Sequence, residues 1–177
     1  AGALCVGASA RDARIASDIT RHTLRTKALA EAVGGYESLA PADLFDMEYW
    51  SLEQAKLRGR SARPLEGQVA LITGGAGAIA RGIASECAAA GAHIVVADLD
   101  GVGAQQCADA ICSEAGPDSA VAIAMDVTDD ASVRRGFEDA CVAFGGVDLV
   151  IPNAGVALVE RIEALSGEHA RRVADVN

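Results

Sequence analysis

The sequence predicts an α/β fold: a three-layer, doubly wound parallel sheet with an N-terminal helical extension. Three observations point to it. Four short apolar runs alternate with helical stretches from residue 68 onward. A glycine-rich turn follows the first run directly. A polar stretch carrying Gly and Pro, GRSARPLEG (59–67), separates this pattern from what precedes it and reads as a linker. Strands buried on both faces appear as continuous β-branched runs, and parallel neighbours need crossover helices between them.

In order, residues 9–35 read as a helix. Ser9 suits its N-cap, Ile15, Ile19, Leu29 and Val33 lie near helical spacing, and Gly34-Gly35 stop it. Residues 41–58 read as a second helix, with Pro41 in the first turn and Asp43, Asp46 and Glu48 favouring its N-terminal half. QVALIT (68–73) is the first strand, and 77–90 is a helix ending at Gly91. AHIVVAD (92–98) is the second strand, followed by a helix over 101–115 that stops at Gly116-Pro117. AVAIAMDV (120–127) is the third strand, and Thr128 or Asp129 caps a helix running to Gly145-Gly146. VDLVIPNAG (147–155) is the fourth strand with its exit turn, and a last helix starts near Ser166.

Composition narrows the function. The 177 residues suffice for one domain of ordinary size with a short appendage. At 51% hydrophobic and 23% charged, a packed core is available. Aromatics at 3% argue against stacking on single-stranded nucleic acid, and a net charge of −10 argues against a phosphate backbone or an anionic membrane as partner. No apolar run approaches the ~20 residues that span a bilayer, and AGALCVGASARD lacks the basic lead of a signal peptide. The five cysteines form no CxxC and the three histidines form no HxH or HExxH. The expectation is a cytoplasmic protein without a metal site, its cysteines small and mostly buried thiols.

Four turns hold candidate site residues. After the first strand comes Thr73-Gly74-Gly75-Ala76-Gly77-Ala78-Ile79-Ala80. Glycines there let backbone approach a pyrophosphate, and a helix N-terminus offers free N–H groups and a positive dipole end. The same residues also suit an ordinary tight turn. Asp98 ends the second strand, with Leu99 beside it, about 20 residues beyond the glycines, where an acid accepts hydrogen bonds from an adenosine ribose. Such an acid repels a 2′-phosphate and so favours NAD over NADP. Otherwise it is a solvated loop acid or a cap, although Asp100 suits the cap better. Asp126 and Val127 leave the third strand, where the carboxylate can accept from an adenine amine and the valine can pack on the ring; Asp126 equally suits a helix cap. Asn153, Ala154 and Gly155 end the fourth strand, and also fit a plain left-handed turn. In a 3-2-1-4 strand order the first and last turns face each other across the crevice where the winding reverses.

Together these residues resemble a classical short-chain dehydrogenase/reductase, a family with a Rossmann-type fold. VALITGGAGAIA corresponds to the family's TGxxxGxG, Asp98 follows VVA, MDVTD comes third, and PNAG stands for the usual NNAG. The resemblance covers residues 66–177. It implies a dinucleotide, NAD, as cofactor, held by Gly74, Gly75, Gly77, Ile79, Asp98, Leu99, Asp126, Val127, Asn153, Ala154 and Gly155. It also implies that Asn177 is the family's catalytic Asn, which holds a water in a proton relay. Ala78 and Ala80 replace the family's second and third glycines, and Pro152 the first Asn of NNAG. Ala78 directs a methyl toward the pyrophosphate; Ala80 is a milder change in helix–strand packing. The family's Ser and Tyr-x-x-x-Lys, in which the Lys lowers the Tyr pKa, have no counterpart. The tyrosines here are Tyr36 and Tyr49 and the lysines Lys27 and Lys56.

DARIASDITRHTLRTKALAEAVGGY followed by LFDMEYWSLEQAKL resembles the end of a class II aldolase domain. Such a domain precedes a short-chain dehydrogenase in bifunctional rhamnulose-1-phosphate aldolase/alcohol dehydrogenases. The alternative for this part is a private helical hairpin. On the first reading residues 1–58 end an aldolase domain, 59–67 link, and 68–177 are a cofactor-binding domain incomplete at its C-terminus, so the chain is expected to be a fragment. The function implied is oxidoreduction of a small sugar-derived alcohol or aldehyde. The alternative is a non-catalytic module that binds a nucleotide or a partner. A fourth strand without a fifth beside it exposes an apolar edge, so a homo-oligomer, or a poorly soluble chain, is expected.

Overall fold

The computed structural model describes residues 2–7, 9–49 and 63–177. The chain divides into two compact units, Ala1–Arg63 and Pro64–Asn177.

In the first unit, helix α1 spans Ala10–Val33 and α2 spans Pro41–Glu48. Ser9 caps α1 as expected, its Oγ accepting from the Asp12 N–H at 3.2 Å, and the Gly34 N–H closes the other end on the Ala30 carbonyl. The second helix is shorter than its sequence predicts. It ends at Glu48, with Tyr49 in a turn whose N–H donates to the Phe45 carbonyl; the remainder of the expected helix lies outside the described residues. Neither helix has a buried residue, although both carry apolar side chains.

The second unit begins ahead of its first strand. The Leu65 N–H donates to the Ala90 carbonyl at 2.9 Å, and Leu65 packs against the core, so the end of the expected linker belongs to this unit. Strands β1 (Val69–Thr73), β2 (His93–Asp98), β3 (Ala120–Ala124) and β4 (Leu149–Ile151) form a parallel sheet in the order β3-β2-β1-β4. Helices α3 (Ala78–Ala89), α4 (Gly101–Ala115) and α5 (Asp130–Phe144) connect the strands, and α6 (Gly167–Val176) follows the last one.

Every residue of β1 is buried, because β1 has a strand on each side and apolar side chains on both faces. One face packs Ala70, Ile72, Ile94 and Val96 against an alanine-rich stripe, Ala80, Ala84 and Ala88 of α3, and against Ala104, Cys107, Ala108 and Ile111 of α4. The other sets Leu71, Val95, Ile123 and Met125 against Ala140, Phe137 and Phe144 of α5. Small residues at i, i+4 and i+8 let α3 lie close to the sheet.

The two outer strands differ from expectation. Both are shorter than predicted and neither is buried throughout, since each has a neighbour on one side only. Met125–Val127 leave the strand because Asp126 and Asp129 commit their side chains to the turn and the helix cap. Val150 is 51% exposed. The cysteines also depart from expectation. Only Cys107 is buried, Cys5, Cys87 and Cys112 are half-buried, and Cys141 is exposed on α5. Burial pushes the Cys107 thiol pKa up.

Candidate dinucleotide cleft

The winding reverses between β1 and β4, so the connections leave those strands for opposite faces and a cleft lies at the C-terminal edge of the sheet. Gly74 begins the first turn with φ +64°, a conformation that costs glycine little. An added Cβ there would stand 2.8 Å from the Ala154 Cα, so the β1 and β4 turns touch backbone to backbone. At Gly75 a Cβ would collide with the Val96 side chain. Gly77 is the N-cap of α3 and offers no side chain to its first turn. The other three helices of this unit are capped, by Asp100, Asp129 and Ser166. The α3 N-terminus therefore keeps its orphan N–H groups for something outside the helix.

Asp98 fixes that turn from the side. One carboxylate oxygen accepts from the Ala76 N–H at 2.9 Å and the other from the Asp100 N–H at 2.8 Å. Each oxygen retains a lone pair. The cap of α4 is Asp100, which accepts from the Gly103 N–H, so Asp98 is not the cap. Asp126 is not a cap either: Asp129 accepts from the Ala131 and Ser132 N–H groups. Asp126 Oδ1 instead accepts from the Thr128 hydroxyl at 2.7 Å and its N–H at 2.9 Å. These two donors hold the carboxyl below the usual carboxylate range.

Asn153 joins the two strand ends. Its Nδ2 donates to the carbonyls of Thr73, at 3.0 Å, and Gly74, at 3.3 Å. The Thr73 hydroxyl accepts from the N–H groups of Asn153 and Ala154 at 3.0 and 3.1 Å. Asn177 clamps the next residue but one. Its Oδ1 accepts from the Val156 N–H at 3.0 Å and its Nδ2 donates to the Val156 carbonyl at 2.9 Å.

A cleft of about 350 Å³ results, within the range of small-molecule sites. Of the expected residues, Gly74, Asp98, Leu99, Asp126, Val127, Ala154 and Gly155 line it. Gly75, Gly77, Ile79, Asn153 and Asn177 do not. Gly75 lies buried beneath the turn, Gly77 and Ile79 open α3, and the two asparagines bind the backbone of Thr73, Gly74 and Val156. Among the lining residues, sequence reasoning missed Met125, Thr128, Val156, Arg172 and Val176. Arg172 and Val176 stand one helical turn apart on α6, a spacing that could have marked them. A wider groove, about 780 Å³, runs along α5 past Phe137 and Cys141, without the residues of the strand ends. Among the described residues no cluster of His, Cys, Asp and Glu is arranged to hold a metal, and no helix is long and apolar enough to cross a membrane.

Comparison with known proteins agrees with this geometry. The family model for short chain dehydrogenase matches residues 68–177, and the chain belongs to that family. Residues 1–57 match a second model, Aldolase class II, second domain. An uncharacterized oxidoreductase of Bacillus subtilis, YuxG, is 38% identical over 160 residues, which are 88% of this chain and 23% of that protein. A galactitol 2-dehydrogenase of Agrobacterium fabrum is 38% identical over 64% of this chain and 42% of its own length. The crystal structure of a 3-ketoacyl-(acyl-carrier-protein) reductase from Brucella melitensis, complexed with NADH, superposes with a TM-score of 0.56 at 36% identity, over 63% of this chain and 45% of that one. The chain thus spans less than half the length of each.

Proposed function

We propose that this protein is an NAD-dependent dehydrogenase or reductase acting on a sugar-derived alcohol or aldehyde, and that the cleft holds the dinucleotide. The observation that carries this is Asp98. Its carboxylate sits at the end of β2, anchored to the Ala76 N–H of the glycine turn, with lone pairs left at the cleft. The donor set fits the group. Gly74 lines the cleft with its backbone, where φ +64° and the approach of Ala154 favour glycine, and the uncapped start of α3 suits a pyrophosphate. The membership of the chain, and a relative named for galactitol, support the reaction and substrate class. Residues 68–177 are then the cofactor-binding domain and residues 1–58 the end of an aldolase domain.

NAD, when bound, accepts or donates the hydride. This chain's residues bind and orient it. The N–H groups of Ala78 and its neighbours face the pyrophosphate, with Gly75, Gly77 and Ile79 shaping the turn. Asp98 accepts from the adenosine ribose hydroxyls, and Leu99 covers the sugar. A 2′-phosphate there would face the Asp98 carboxylate and be repelled. Asp126 accepts from the adenine amine through Oδ2, since Oδ1 already serves Thr128, and Val127 packs on the ring. Asn153, Ala154 and Gly155 form the opposite wall. Asn177 is a positioning residue through its clamp on Val156. The relay water that the resemblance implies could use the Oδ1 lone pair or the Nδ2 hydrogen that the clamp leaves over. The acid–base step on the alcohol falls to no side chain among these residues, which hold no Tyr-x-x-x-Lys.

The test is a turnover assay of the full polypeptide with NAD and a series of polyols, read as reduced nicotinamide. Polyol-dependent reduction is the expected result. Saturable NAD binding with no turnover on any alcohol or aldehyde would favour the binding module instead.

A further inference from the structure

The cleft lining contains three formally charged side chains, Asp98, Asp126 and Arg172, so Arg172 is the single cation among them. It is exposed, and among the described residues it has no ion pair and no side-chain hydrogen bond. Its own helix offers carboxylates at Glu168 and Asp175, which line the adjoining groove with Thr128, Arg171 and Arg172 itself. Yet the guanidinium pairs with neither within salt-bridge distance among the described contacts. Arg171 differs, its Nε donating to the Gly167 carbonyl at 3.3 Å.

Two residues, Thr128 and Arg172, are common to the cleft and that groove. This places Arg172 toward Thr128, at the end of the cleft where the chain leaves β3. A planar, weakly hydrated cation without a partner among the described residues suits the face of an aromatic ring. It also offsets the negative charge of the neighbouring carboxylates.

We infer that Arg172 is a specificity-determining residue that lays its guanidinium on the purine of the bound dinucleotide, opposite the apolar surface of Val127. The inference rests on the reading that the cleft binds NAD with its adenine at the exit of β3. Stacking would select a flat heterocycle at this end, whatever phosphate the ligand carries.

The test is a set of titrations of the full polypeptide and its Arg172→Met and Arg172→Lys variants, by calorimetry with NAD and AMP and by ligand-observed NMR with adenosine. Because the side chain is exposed and unpaired, both variants should melt as the parent does. Arg172→Met is expected to weaken NAD, AMP and adenosine alike by about three- to tenfold. Arg172→Lys keeps the charge but loses the planar face, and should recover only part of that. Unchanged affinity for AMP in Arg172→Met, with NAD still bound, overturns the inference and leaves the cleft reading standing. A loss for AMP but none for adenosine also overturns it, since the guanidinium would then serve a phosphate. If the parent binds neither NAD nor AMP, the cleft reading fails and takes this inference with it.

Discussion

The Thr73 hydroxyl accepts from two N–H groups of the turn that leaves β4, those of Asn153 and Ala154, and Thr73 is the one buried polar residue among those described. Replacing it by valine keeps the shape and removes the acceptor. Two N–H groups then lose their partner at a cost of about 1–3 kcal/mol. Thermal melting of Thr73→Val should show that loss, and Thr73→Ser should largely restore it. Nothing local in the sequence announces this role, because the partner backbone lies some 80 residues away. Asp98 was legible for the opposite reason: strand end, acid and glycine turn follow one another in a short segment. Asp126 was legible as a position but ambiguous as a role; the Asp129 cap, with Asp126 bound to Thr128 instead, removes the helix-cap alternative. The folded-state pKa of Asp126 is depressed, so its carboxylate favours folding above the unfolded pKa and that contribution fades as pH falls through the folded value. Thr128→Val removes the hydroxyl donor. A carboxyl NMR titration should then show the Asp126 pKa moving up toward the ordinary carboxylate value, and acid loss of NAD affinity should begin at higher pH.

At the scale of elements, α3 bears on both stability and binding. Ala80 is fully buried in the stripe that meets the sheet, so the family's third glycine is replaced here by a methyl the core accommodates. Ala78 is exposed at the first helical position, beside the proposed pyrophosphate site. Ala78→Gly should tighten NAD severalfold by removing that methyl, while costing up to about 1 kcal/mol of helix stability. Calorimetry and melting of the one variant measure both, and unchanged NAD affinity would place the pyrophosphate elsewhere. The helix boundaries were readable because caps are local chemistry: Ser9, Asp100 and Ser166 act where the residue pattern puts them. The lengths of β3 and β4 were not. In β3 the apolar run continues to Met125 after pairing stops at Ala124, and β4 pairs with β1 over three residues only.

For the whole molecule, right-handed crossovers restrict the orders open to four parallel strands, and in β3-β2-β1-β4 the winding reverses between β1 and β4. The uncovered edge of β4 is expected from the sequence, whereas the exposure of Val142 on α5 is not. Val150 on β4 and Val142 on α5 are exposed apolar residues of the sheet unit, and β4 pairs with β1 alone. A polypeptide of these residues should therefore self-associate, with the exposed strand edge as the contact. Light scattering across a concentration series checks this, and Val150→Lys should shift the population toward monomer. A monomer at every concentration would show the edge to be protected.

The central claim is that the cleft takes NAD and that Asp98 selects it. The most direct measurement is calorimetric titration of the full polypeptide, and of its Asp98→Ala variant, with NAD and with NADP. The account predicts saturable binding of NAD, NADP weaker by about tenfold or more, and a much smaller gap in the variant, where the ribose acceptor and its charge are both gone. Absence of NAD binding, or NADP binding as tightly as NAD to the unsubstituted protein, would contradict it.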